Sequence, residues 1–220
     1  MFASLVHDPT SKGRSRALFA VVALVTLFTA PLAQAQPVGS GGTIGLYFDA
    51  ALTQTTLENP PAFTPVTAYL AVSDILDSFP DAELNAYEVQ IVIPENWLLL
   101  GSTLIPETSL NVGSQQGNVL NLIVGTGQGI DIALEGDQFV VATLNLFPQI
   151  ADTPPGTRIE LNGASPSSSD PPAPLWNDIG SGTDRIYTFD TVVEAVINPV
   201  PCDVVDATFD GTVVTEIGRA

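Results

Sequence analysis

The sequence predicts an all-β fold, two antiparallel sheets packed face to face as a sandwich, and three observations carry that prediction. Short stretches of alternating apolar residues recur along the chain. Glycine and proline, 18 of each, punctuate them at close intervals. Nowhere does an apolar stripe continue at helical spacing. Many short strands divided by turn residues indicate a sandwich or barrel rather than a parallel α/β sheet.

The first strand is expected at residues 43–49, TIGLYFD, where Ile44, Leu46 and Phe48 share a side. A proline-bearing loop over 53–65 leads to residues 66–72, with Val66, Ala68, Leu70 and Val72 on one face. Residues 73–83 form a turn-rich connector. In the next strand Tyr87, Val89, Ile91 and Ile93 point one way and Glu88 and Gln90 the other, the period of two that a half-buried strand requires. Pro94 removes a ladder donor and ends it. Residues 97–100, WLLL, are apolar beyond what alternation needs and are expected as a corner over the open end of the sandwich.

Further strands are expected at 109–112, 119–124, 131–134 and 139–147, the last with Val140, Ala142, Leu144 and Leu146 on one side and Phe139, Val141 and Phe147 on the other. Gly125, Gly127 and Gly129, and then Glu135-Gly136-Asp137, supply turns between them. The GTGQG run lacks both a following helix and a lysine, which excludes a phosphate loop. After a strand at 158–161 comes a Pro- and Ser-rich loop, 164–184, carrying Trp176; residues 185–189 and 192–197 complete the strands.

The beginning of the chain reads as an export signal. Lys12, Arg14 and Arg16 precede an apolar run over 17–30, and Ala33-Gln34-Ala35 offers a cleavage site before Gln36. A run of fourteen residues falls short of the roughly 20 that span a hydrocarbon core. The expected organisation is a signal peptide at 1–35, a flexible leader at 36–42, a sandwich domain at 43–198 and an acidic, irregular tail at 199–220. The expected location is secreted, extracellular or periplasmic, with no membrane insertion after cleavage.

Residues 36–220 hold three arginines, no lysine and 23 acids, a net charge of −20. Binding a phosphate backbone needs clustered Lys and Arg, so nucleic acid and anionic lipid are excluded as partners. The excess acid is expected to serve solvation, a saline or calcium-rich habitat being the alternative. Cys202 is the only cysteine and cannot pair within the chain, so apolar burial alone must hold the fold.

The order AYEVQIVIP, NVGSQQGNV, a Gly-Asp turn, FVVATLNLF and PPGTRIELNGAS, spread over residues 66–163, resembles the cohesin-like modules of bacterial extracellular proteins. The resemblance implies a jelly-roll sandwich, an immunoglobulin-like strand order being the alternative. It further implies that a sheet face docks a calcium-loaded dockerin on another protein. Pro94-Glu95 stands where cohesins commonly show Asp-Pro.

Residues 36–220 contain no histidine, which removes a Ser-His-Asp triad, a cysteine-protease dyad, histidine zinc sites and a non-haem iron triad. Without lysine, Schiff-base chemistry is also absent. A glycosidase carboxylate pair would have to come from Glu88, Glu95, Glu107, Asp131 and Glu135, which no spacing brings together. Asp74, Asp77, Asp81 and Glu83 crowd one connector, so structural calcium is the one cofactor the acids suggest, against a simple solvated loop. Asp206 to Gly211, DATFDG, lacks the alternating spacing of a calcium loop. The expectation is a non-enzymatic module, with no catalytic, cofactor or metal residues, binding an extracellular protein. The alternative is polysaccharide bound on a platform of Trp97, Trp176, Tyr69 or Tyr187.

Overall fold

The computed structural model describes residues 41–75, 79, 81–180 and 184–200, and the backbone of three further strand segments, 39–40, 204–209 and 212–217. The expected signal peptide, Asp77 and Cys202 lie outside the described residues.

In chain order the strands are β1 (Gly39–Ser40), β2 (Thr43–Tyr47), β3 (Thr56–Leu57), β4 (Val66–Ser73), β5 (Glu83–Val92), β6 (Trp97–Leu104), β7 (Leu110–Asn111), β8 (Gln115–Gln116) and β9 (Val119–Asp131). A helical turn, α1 (Ile132–Glu135), leads to β10 (Gln138–Pro148), β11 (Thr157–Asn162), β12 (Leu175–Asp178), β13 (Arg185–Thr188), β14 (Thr191–Val193), β15 (Ala195–Ile197), β16 (Val204–Phe209) and β17 (Thr212–Ile217). They form a ten-stranded sheet, β1-β13-β12-β5-β11-β15-β3 with β9, β7 and β8 on the far side of β5, and a five-stranded sheet, β14-β2-β4-β10-β6. β16 and β17 pair with each other.

The alternation read from the sequence is what closes the two sheets. Leu70, Val72, Leu144 and Leu146 of the smaller sheet meet Tyr87, Val89, Ile91, Leu122 and Ile159 of the larger, all buried in one cluster. Burying side chains of this size stabilises by about 1.5–3 kcal/mol each before chain entropy is charged. The hydroxyl of Tyr87 donates across the interior to the Val141 carbonyl at 3.1 Å, tying one sheet to the other.

Several expectations are corrected. Residues 97–100 are no corner but the start of edge strand β6. Residues 131–134 are not a strand: Asp131 ends β9 and caps α1, accepting the Ala133 N–H at 3.0 Å. The three glycines after Val124 sit inside β9, where Ala86 pairs with Gly125 and Leu84 with Ile130, so Asn85 alone faces a bulged stretch. In β10 a bulge between Val140 and Ala142 puts Phe139 on the inner face opposite Val72 and turns Val140 outward. The tail contains the β16–β17 ladder.

The 192–197 strand divides at Glu194: β14 lies in the smaller sheet, β15 in the larger. Residues 39–42 of the expected leader also join the sandwich. β1 runs parallel to β13, and β2 parallel to β14, so both segments cross from one sheet to the other side by side. Glycine is required there: Gly42 has φ +76°, and a Cβ on Gly41 would lie 2.4 Å from the Phe79 ring. A further pairing, β15 with β3, is parallel as well, making both sheets mixed.

Burial raises the Tyr87 pKa far above the ordinary phenol range. The unfolded chain therefore loses its proton near pH 10 while the folded chain keeps it, so the Tyr87 contribution is complete below that pH and declines above it. Urea midpoints should fall between pH 9 and pH 12, at a limit of about 1.4 kcal/mol per pH unit for this group. Y87F should show a shallower fall; an identical fall would contradict the assignment.

Candidate functional site on the outer face of the larger sheet

β5 is the centre of the larger sheet. β9 runs along one side of it; on the other, β12 pairs with residues 84–88 and β11 with residues 90–92. β11 and β12 are thus two halves of one interrupted strand. The chain leaves the sheet opposite Gln90, makes an excursion over 163–174, and returns opposite Glu88. Leu175–Asp178, expected within the long loop, is the returning strand.

Since Tyr87 and Val89 point inward, Ala86, Glu88 and Gln90 point outward, and the excursion lies against them. The Glu88 carboxylate accepts the Ser168 N–H at 3.0 Å and the Ser168 hydroxyl at 2.5 Å. Asn121, buried on β9, accepts from Ser165 N–H at 2.9 Å and from Gln90 Nε2 at 3.1 Å. Within the excursion, the Ser169 hydroxyl donates to the Pro171 carbonyl and accepts from Ala173 N–H. The strap is therefore folded on itself and held at two points.

The Glu88–Ser168 contact separates two hollows. One, about 210 Å³, lies toward β12 and β13 and is lined by Ala86, Leu175, Asn177 and Ile186. The other, about 340 Å³, lies toward β7 and β9 and is lined by Val112, Gly113, Ile123 and Ser165. Beside it Leu110 and Val112 are 66% and 70% exposed. The face offers an apolar strip, amides and one carboxylate already held by two donors. Among the described residues no second acid lines either hollow with Glu88.

E88Q should loosen the strap without unfolding the sandwich. Replacing a charged acceptor by a neutral one should weaken the contact by about 1 kcal/mol at this part-exposed site. Amide exchange at Ser168 should accelerate several-fold, while exchange in β5 stays unchanged.

The remaining sequence candidates are dispersed. Glu95 and Glu107 lie outside the strands flanking β6. Asp131 and Glu135 line a groove of about 250 Å³ together with Ile105, Pro106, Leu134 and Phe139. Asp131 caps the helical turn that Glu135 ends. Asp74 accepts from the Ser73 hydroxyl. Among the described residues no group of three or more His, Cys, Asp or Glu side chains is placed to hold a metal ion.

The sugar platform is corrected outright. Trp97, Trp176 and Tyr187 are buried in the core. The Trp97 indole N–H donates to Thr153 Oγ1, and that of Trp176 to the Gly41 carbonyl. Tyr69 stands half-buried on β4, in the other sheet. The composition reading missed Asn121 and the serines of the strap, which looked like spacer; only the outward position of Glu88 signalled this face.

No protein-family model matches the chain, and no curated protein matches it. Solved structures do. The seventh ScaB type I cohesin from Pseudobacteroides cellulosolvens aligns with a TM-score of 0.51 at 8% identity, over 78% of this chain and 99% of that one. The fold is cohesin-like. A non-cellulosomal cohesin from the archaeon Archaeoglobus fulgidus aligns at 0.48 and 12% identity, over 74% of this chain and 93% of its own. The sixth cohesin of scaffoldin B from Acetivibrio cellulolyticus, solved in complex with a Cel5 dockerin, aligns at 0.45 and 12%, over 73% and 100%.

Proposed function

We propose that this chain is an exported, non-enzymatic binding module that engages an extracellular protein through the outer face of its larger sheet and the strap lying on it. The observation that carries the reading is the pair Leu110 and Val112, solvent-facing and next to Ile123, on a face where Glu88 and Asn121 already hold hydrogen-bond partners. Exposed apolar side chains grouped beside fixed polar ones are what a protein interface uses for its anchors. The cohesin-like fold supports a scaffold that presents a face and loops, and the lack of histidine and lysine in residues 36–220 supports a role without proton or Schiff-base chemistry.

The test is capture from the culture medium of the source organism by the immobilised exported form, in parallel with a Leu110→Asp/Val112→Asp variant. Both positions are exposed, so the variant should melt as the parent does. A central apolar anchor contributes about 2 kcal/mol or more, so recovery of the partner should drop by roughly 30-fold or more. Equal recovery from the two columns would reject this face as the interface.

A further inference from the structure

Most of the strands that end the two sheets are too short to template pairing. β1, β3, β7 and β8 have two residues each and β14 three. β6 has eight, WLLLGSTL, with no charged side chain, and β10 is its sole strand partner among the described residues. In an antiparallel ladder alternate backbone N–H and C=O groups point away from the neighbour, so this edge presents unpaired donors and acceptors to solvent.

The edge has a defined start and a defined end. Leu100 is an extra residue: Gly101 pairs with Asn145 and Leu99 with Leu146, so a bulge interrupts the strand there. Beyond it residues 101–104 continue in regular register with β10, and a side chain built on Gly101 would meet nothing within 4 Å. Ile105 and Pro106 follow at once and line the groove that holds Asp131, Glu135, Phe139 and the 83% exposed Leu134. A strand laid along 101–104 therefore runs on into an apolar groove bearing two carboxylates.

We propose that residues 101–104 of β6 form a strand-addition site for an extended segment of another protein, one that carries Lys or Arg on an aliphatic stem where it reaches the Asp131/Glu135 groove. Backbone pairing supplies the affinity of such an added strand, and the pocket at its end supplies the selectivity. Charge decides against a second copy of this chain. There is no Lys or Arg anywhere between residues 17 and 157, so another β6 would bring no cation to the groove, only Glu95 and Glu107 near its ends. The strand edge belongs to the smaller sheet, and the proposal does not rest on the function proposed above.

The test uses capped hexapeptides of four alternating threonine and valine residues with two lysines at one end or the other, titrated into the isotopically labelled protein. At least one lysine peptide should give saturable shifts of the amides of Gly101, Ser102, Thr103 and Leu104. The matching glutamate peptide should bind at least ten-fold more weakly, and the Asp131→Asn/Glu135→Gln variant should remove that difference. N-methylation of alternate peptide amides, which deletes ladder donors, should abolish binding, as should the exposed-edge substitution Ser102→Lys. No saturable shift with either lysine peptide overturns the proposal, as does undiminished binding of the N-methylated peptide. A protein dimer in sedimentation that Ser102→Lys dissociates also overturns it, in favour of a second copy.

Discussion

Trp176→Ala should lower the unfolding free energy by about 3–5 kcal/mol, measured as a shift of the urea transition at neutral pH. Trp176 is 1% exposed. Its ring stacks on Tyr187 at 4.8 Å and 26°, and meets Phe79 edge-on at 5.6 Å. Phe79 in turn contacts Tyr187 at 4.4 Å, so the three rings form a closed set, and deleting the largest leaves a cavity that the other two cannot fill. The indole N–H also donates to the Gly41 carbonyl, at the point where the chain passes between sheets. The loss should therefore extend to the β1–β13 pairing, read as faster amide exchange at Thr188. Trp176→Phe keeps the ring contact and loses only the indole donor and part of the volume, so its loss should be smaller. A cost below about 1 kcal/mol for the alanine variant would mean that this cluster is not part of the core.

What the chain revealed in advance was local, and what it hid was long-range. Tyr87, Val89, Ile91 and Ile93 were legible because nothing interrupts their period, and all four are buried. WLLL was misread because the extra residue at Leu100 shifts the parity, leaving three consecutive leucines that alternation cannot sort. The shift in β10 at Val140 has the same cause. β12 disappeared into a window dominated by the proline and serine of the strap inserted ahead of it. The run from Val192 to Ile197 contains no mark of the crossing at Glu194, since a strand looks alike in either sheet; the crossing is fastened by Glu194 accepting from Arg158 on β11 at 3.0 Å. Glu88 could be placed on an outward face from its spacing alone. Its partner, Ser168, lies 80 residues away, and only the collinear pairing of β11 and β12 along β5 brings the two together.

The same pairing makes Gly163→Ala the second large expected effect. Because the excursion leaves and re-enters the sheet at neighbouring positions of β5, its two feet press together. A Cβ on Gly163 would lie 2.4 Å from the Ala173 nitrogen and 2.4 Å from the Pro172 carbonyl carbon, both backbone atoms that no rotamer change can move. Overpacking of this kind costs about 1–3 kcal/mol. The strain can be relieved in two ways that differ in their readout. If the feet spread, the Glu88 and Asn121 contacts to Ser168 and Ser165 are pulled out of reach, and exchange protection is lost at those two amides. Leu175, 2% exposed beneath the strap, then becomes accessible. If the strain passes into β11 instead, protection falls at Ile159 and Leu161 and the loss is global. We expect the first outcome, because the strap is held to the sheet by side-chain hydrogen bonds whereas β11 is held by ladders on both of its sides, to β5 and β15. Exchange measured residue by residue on Gly163→Ala distinguishes them. Selective loss at Ser165 and Ser168 would show that the strap can leave the outer face of the larger sheet while the sandwich stays folded.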